Sequence, residues 1–436
     1  MLSKRIKYIL FVFLTIVISL PMIFSFLGYK NGKLGGYYEK KSMPYFSTHI
    51  FNSLEYQKRL EGALKQETGF SDFFIRFSNQ FRYTFLGNAS AHNIIVGKDN
   101  FLYTDSYVNS ALGIDFQGKE KIDSTIMKLS VVKDSLKKKG IDLIFIMAPG
   151  KGAYYPEYFP LRYSLIQRKP TNYQAYISSF KKYGIEYLDF NSWFLSLKGK
   201  TKYELFPNAS VHWGHYACYL AVDSLTNYLD KKYSIDLTRI KVKKINVSNQ
   251  MQGTDDEVEK MVNCIRDIPN KPTPRLEFEF DTVNKDKLKV LTIGDSYFFG
   301  MNEFGLLNMV FDNCEFWYYM KEVKTHLPEF KSIAYYDDIK KEIEKNKTII
   351  IIFTESNLHS APIQIIDDLH YIFTSYPKYE NELLRQKEKY KMLIAQDEKW
   401  EKDILKKADK YNISLYEAIE RDAEFMAREY LKKKYK

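Results

Sequence analysis

Cysteine is scarce in this chain. Cys218, Cys264 and Cys314 are the only three, widely spaced and odd in number, which excludes a disulfide framework and any CxxC metal or redox motif. Glycine and proline are thin as well, 20 and 13 in 436 residues. No Pro/Gly/Ser linker divides the chain, and no internal repeat appears. A phosphate-binding loop is absent too. GKT at Gly199–Thr201 has Phe194 where the first glycine of a P-loop belongs, so its backbone cannot cradle a phosphate. The net charge of +11 comes without a basic recognition helix, so nucleic acid is not an expected partner. Lys-rich solvated helix faces account for most of the excess; acidic glycans or a membrane surface are the partners such a charge favours.

What the sequence does have begins at the N-terminus. Lys4, Arg5 and Lys7 precede Tyr8–Leu27, a run without a charge and about twenty residues long, enough to cross the hydrocarbon core as a helix. The basic flank predicts a cytoplasmic N-terminus and a single-pass protein of the cytoplasmic membrane, with everything after Gly28 extracytoplasmic (periplasmic). A cleaved signal peptide is the rival, but SLPMIFSFLG lacks a clean small-x-small site. ATP and nicotinamide cofactors are scarce in that compartment, and no cofactor is expected. Asn88-Ala-Ser and Asn208-Ala-Ser fit the glycosylation pattern, which bears only on a eukaryotic secretory route.

Beyond the anchor, buried-strand runs alternate with amphipathic stretches. Leu54–Arg82 reads as helical with a break at Gly69, Asn93–Tyr103 as strand, turn and strand, and Ile122–Gly140 as a helix closed by glycine. IDLIFIMAP (Ile141–Pro149), KVLTIGDS (Lys289–Ser296) and TIIIIFTES (Thr348–Ser356) are near-continuous apolar runs, the pattern of strands covered on both faces. IEYLDF (Ile185–Phe190) is a shorter one. The alternation predicts an α/β fold, a three-layer sandwich with a mainly parallel sheet. Ligand sites gather at the carboxyl ends of such strands, so polar residues after Pro149, Asp295 and Glu355 should converge. The expected organisation is an N-terminus and anchor over 1–28, a lead-in over 29–53, an α/β domain over 54–375 and a helical tail over 376–436. In the tail, Ser414 and Glu417 read as a capping box.

Two stretches carry candidate chemistry. In TIGDSYFFG, Ser296 stands where a buried strand turns into a helix, exposed and near backbone N–H groups suited to an oxyanion. The bland alternative is a Ser or Asp helix cap. A serine nucleophile needs a base, and His212 in NASVHWGHYAC, read as opening a helix, is the best candidate, with Trp213 as a pocket wall. His212, His215 and Cys218 repeat every three residues, but such steps drift by about 60° each around a helix, so no metal site is expected. Asn357 has the amide of an oxyanion donor, or a turn residue's; Asp295 and Glu355 are supporting carboxylates. Lys151 is a sugar-contacting candidate whose ordinary role would be a surface lysine. Tyr154, Tyr155, Trp213, Tyr297 and Phe298 are candidate flat surfaces for sugar rings, in a chain already 16% aromatic.

GKDNFLY (Gly97–Tyr103), APGKGAYYPEYFP (Ala148–Pro160), an x-His-Trp motif and GDSYF, in this order behind an apolar N-terminus, resemble the SGNH-like domain of the alginate O-acetyltransferase family. The resemblance runs from about Glu55 to His359. It implies an SGNH/flavodoxin-like fold with permuted motif order, His before Ser, and acetyl transfer onto an exported polysaccharide. Acetyl groups would arrive from a membrane-bound O-acyltransferase partner. Ser296 matches the family's nucleophile and His212 its base. The family's Asp-x-His-Trp has its aspartate at Ser210 here, and no carboxylate lies within three residues of His212. Three accounts stay open: Ser210 suffices as third member; Asp189, Asp295 or Glu355 has taken over; or the site has become a non-catalytic sugar-binding one. A carbohydrate acetylesterase is a further alternative.

Overall fold

In the computed structural model, described over residues 4–28, 32–36, 43–44, 53–303, 305–324, 331–332, 339–374, 380–411 and 413–434, the apolar run is one helix, α1 (Lys4–Phe26). It is long and apolar enough to cross a membrane, and none of it is buried in protein. Most of the lead-in lies outside the described residues. The chain divides into two units.

The first unit comprises Met1–Asp105, Asn208–Val211 and Asp255–Lys271. After α1 come the helix Leu54–Glu67 and α2 (Ser71–Leu86). Ser53 caps the former by accepting the Tyr56 N–H. The expected break falls at Thr68–Phe70, where Phe70 adopts φ +62°. A tight antiparallel pair follows, β1 (Ile94–Val96) and β2 (Leu102–Thr104). Asn208 ties its short segment into this unit by donating to the carbonyls of Asn100 and Pro269.

The second unit holds the sheet. Its chain-order elements are α3 (Lys119–Lys137), β3 (Asp142–Ala148), α4 (Asn172–Tyr183), β4 (Glu186–Asp189) and α5 (His215–Tyr233). A separate hairpin, β5 (Arg239–Ser248) with β6 (Thr273–Asp281), precedes β7 (Lys289–Gly294) and the short helix α6 (Tyr297–Glu303). Then come β8 (Asp312–Tyr318), β9 (Glu322–Lys324), β10 (Lys331–Ser332), β11 (Thr348–Thr354) and α7 (Ala361–Thr374). The strand order is β10-β9-β8-β7-β11-β3-β4. β8, β7, β11, β3 and β4 run parallel, and β9 and β10 add an antiparallel edge.

Every residue of β3 and β11 is buried, as the unbroken apolar runs require of strands covered on both faces. One face packs Leu143, Phe145, Ile349 and Ile351 against Ile126 and Leu129 of α3, Phe180 of α4 and Ile366 of α7. The parallel register sets Ile352 beside Gly294 and Thr354 beside Ala148. The carboxyl ends of β7, β11 and β3 therefore finish at one edge.

Three helices form the tail, α8 (Glu380–Gln396), α9 (Glu398–Tyr411) and α10 (Leu415–Lys434). Ile394, Ile404, Ala408, Ala418 and Ala423 make a small core of their own. Ser414 Oγ caps α10 on the Glu417 N–H at 3.1 Å. Lys432 of α10, buried, pairs with Asp368 of α7, so the tail is fastened to the helical layer of the sheet.

Candidate active site

β7 can end where it does because position 294 is glycine. A Cβ there would stand 2.2 Å from the Ile352 carbonyl oxygen of β11. The Asp295 N–H donates to that same carbonyl at 3.2 Å. The Asp295 carboxylate, fully buried, then takes four hydrogen bonds: Oδ1 from the Tyr297 N–H at 3.0 Å, and Oδ2 from the Thr354 N–H, the Thr354 hydroxyl and Asn357 Nδ2 at 2.8–2.9 Å. This fixes the turn between β7 and α6. Ser296 sits on that turn, half-buried between buried Asp295 and Tyr297.

The loop before α5 is closed by the Gly214 N–H on the Leu205 carbonyl at 2.9 Å. His212 lies in this loop; the helix it was expected to open starts at His215. It too is half-buried between buried neighbours. Trp213 turns inward and donates its indole N–H to the Tyr297 carbonyl at 3.1 Å. That bond carries the loop to the turn, and His212 Nε2 and Ser296 Oγ stand 2.7 Å apart. With the imidazole proton on Nδ1, Nε2 accepts the serine hydroxyl, the geometry a general base needs. The Tyr297 ring lies 5.1 Å from the imidazole.

Gly300 makes the close approach possible. A Cβ on it would lie 2.9 Å from Trp213 Nε1 and 2.8 Å from Cys218 Sγ. Gly300→Ala is therefore expected to displace the indole and lower kcat by about tenfold, since small misplacements are costly in such pairs. It should also cost about 1–3 kcal/mol of stability through overpacking. Initial rates and thermal unfolding check this; adding Cys218→Ala should recover part of the stability.

The other predicted residues are placed differently. Tyr154, Tyr155, Trp213, Tyr297 and Phe298 are all 5% exposed or less. They have no face free to stack on a sugar and are packing residues instead. Tyr155 bonds the Glu204 carboxylate. Lys151, expected at the surface, is completely buried on the helical turn after β3. Asn357 spends both amide protons, on Asp295 Oδ2 and on the Tyr319 hydroxyl at 3.3 Å; an oxyanion would have to displace one of them. His215 is buried packing: Nδ1 accepts the Leu276 N–H at 3.2 Å, and burial, with Arg275 nearby, lowers its pKa to about 4.

Of the three carboxylates considered as replacements for the family aspartate, Asp295 is saturated as described. Asp189 caps a helix on the Ser192 N–H and accepts the Tyr173 hydroxyl. Glu355 is buried, and burial, then Asp115 and Asp189, raise its pKa to about 8. It is protonated at neutral pH and offers no charge. Sequence reasoning missed the carboxylate that is engaged. In the first unit, Ser210 Oγ donates to Glu257 Oε1 at 2.9 Å, and the Val211 N–H donates to the same oxygen at 3.2 Å. No local signal points there, because the partners are 47 residues apart.

A cavity of about 590 Å³ opens beside Asn357 and Tyr319, walled by Gln364 and Tyr371 of α7 and by Phe425 and Arg428 of α10. Its size is within the usual range for small-ligand sites.

Residues 94–285 match the model of the SGNH hydrolase-like domain of the acetyltransferase AlgX. This segment, somewhat under half of the chain, is similar to that domain. The match includes His212 and stops short of Ser296. Among solved structures, the O-acetyltransferase domain of Pseudomonas putida AlgJ is 15% identical, covering 64% of this chain and 98% of that one with TM-score 0.42. Pseudomonas aeruginosa AlgX is 16% identical over 68% of this chain and 69% of its own, TM-score 0.45. Bacillus cereus PatB1 is 13% identical over 62% and 98%, TM-score 0.39. No curated protein matches the chain.

Proposed function

We propose that this chain is a membrane-anchored, extracytoplasmic O-acetyltransferase that passes acetyl groups to an exported polysaccharide through an acetyl-serine. The observation that carries the reading is the 2.7 Å approach of His212 Nε2 to Ser296 Oγ. It joins residues 84 apart in sequence, each more accessible than its neighbours.

In this reading His212 takes the Oγ proton as Ser296 attacks the acetyl carbonyl carbon. The oxyanion is held by the Ser296 backbone N–H. Collapse expels the donor's oxygen, which takes the proton from His212 and leaves acetyl-serine. A sugar hydroxyl then gives its proton to His212 while its oxygen attacks the acetyl-serine carbonyl. Ser296 leaves as the alkoxide and regains that proton. Transfer wins over hydrolysis when the acceptor fills the site and keeps water out. A membrane-bound O-acyltransferase supplies the acetyl groups, and α1 keeps the domain at the membrane.

Ser210, two residues before His212, is the proposed third member. Its hydroxyl donates to the Glu257 carboxylate.

The test is direct. Full-length protein in detergent is incubated with p-nitrophenyl acetate, quenched in acid and peptide-mapped. One acetyl group is expected on the peptide containing Ser296, absent in His212→Ala. Acetylation confined to lysines would remove the acetyl-serine from the mechanism.

A further inference from the structure

Helix α2 in the first unit is amphipathic the wrong way round for a helix in water. Four of its polar residues, Arg76, Asn79, Gln80 and Tyr83, are turned into the protein, while Ser78, Arg82 and Thr84 are exposed. Asn79, buried, donates to the Val262 carbonyl at 2.8 Å. Arg76 donates to the Lys33 and Cys264 carbonyls, Gln80 accepts the Arg266 N–H at 2.9 Å, and the Tyr83 hydroxyl bonds Asn100. Its apolar residues face out. Phe73, Phe74, Phe77, Phe81 and Phe85 are 49–72% exposed. At 100° per residue these five fall within an arc of about 120°, forming one continuous strip. An exposed patch of this kind marks an interaction surface.

A second observation says what covers it. The start of α2 is joined to the exported end of α1. The rings of Phe24 and Phe70 meet edge-on, centroids 4.5 Å apart, and a Cβ on Gly69 would come 2.7 Å from the Pro21 carbonyl. Phe70 makes its contact from a left-handed backbone, φ +62°, a conformation bulky residues avoid. The corner between the two helices is thus held by a glycine with no room for a side chain and by a strained phenylalanine. If α1 spans the bilayer, its last turn lies at the headgroup level, and the phenylalanine strip begins there.

We infer that α2 is a second membrane element, lying along the outer surface of the bilayer with its phenylalanine face in the lipid. The arrangement is that of an interfacial helix, apolar face down and polar face away from the lipid, except that here the polar face is occupied by the protein's own backbone. The consequence is that the first unit is held by two contacts and cannot swivel freely about the α1 anchor. This inference rests on the anchor reading of the preceding section.

The experiment uses the full chain reconstituted alone into phosphatidylcholine–phosphatidylglycerol vesicles, with and without brominated acyl chains that quench tryptophan on contact. Three variants are compared with wild type: Phe77→Trp and Phe81→Trp in α2, and Phe13→Trp in α1. The fluorescence added by each α2 tryptophan is expected to fall by about half, with bromines near the headgroups quenching better than deep ones. The Phe13→Trp signal should fall as well, most strongly with deep bromines. Quenching of Phe13→Trp without either α2 variant would overturn the inference and leave the anchor intact, meaning that protein or water covers the strip. Failure of all three would remove the anchor reading and the inference with it.

Discussion

Ser296→Ala and His212→Ala are each expected to lower acetyl transfer by about 10⁴-fold or more, with the double variant no worse than either alone. Residues that act as one unit lose the same thing once. The pair is coupled by one hydrogen bond of 2.7 Å, so removing either partner leaves the other without its proton-transfer step. Neither change should unfold the protein. Both residues are half-buried rather than core, and the turn beneath Ser296 is held by Asp295 through bonds that the serine side chain does not make. Thermal midpoints within a few degrees of wild type are expected. The measurement is the initial rate on p-nitrophenyl acetate, repeated with an acceptor oligosaccharide. Wild-type rates in both variants would remove the catalytic reading of the pair.

Ser210→Asp, which restores the residue found in the alginate family, is expected to damage this protein. The reason lies in the first unit, where Ser210 is completely buried and hydrogen-bonded to Glu257. A second carboxylate at that position would meet the first at hydrogen-bond distance. Two buried carboxylates that close cannot both be ionised. The outcome is a loss of roughly 3 kcal/mol or more and disorder in the residues leading to His212. Glu257→Gln removes the conflict. The double variant Ser210→Asp/Glu257→Gln should therefore regain the stability and exceed the rate of either single variant, a coupling a thermodynamic cycle measures directly. Additive losses would mean that the Ser210–Glu257 bond has no bearing on the site.

The parts of the fold that were legible were those dictated by burial on two faces. IDLIFIMAP and TIIIIFTES leave no polar side for water, so they read as central strands and are central strands, next to each other in the sheet. The hairpin of β5 and β6 was not legible. RIKVKKINVS alternates but keeps its lysines in solvent, and it reads as readily as a polar helix face. Ser296 and His212 could be singled out because each follows a recognisable run. Their surroundings could not. In a chain so rich in phenylalanine and tyrosine, composition does not tell a core ring from an exposed one, and the rings expected to face sugars are core. A run of exposed rings lies on α2 instead. Glu257 was hidden by distance along the chain, and the late start of α5 by a glycine, Gly214, that caps without a side chain.

The tail bears on how such a protein can change. Phe425, Arg428 and Lys432 of α10 wall the cavity beside Asn357, while the bonds that position Ser296 and His212 come from β7, β11, Trp213 and Gly300. The cavity wall and the supports of the Ser296–His212 pair thus come from separate stretches of sequence. Exchanging the last turns of α10 would therefore reshape the cavity and leave the bonds that hold Ser296 and His212 untouched.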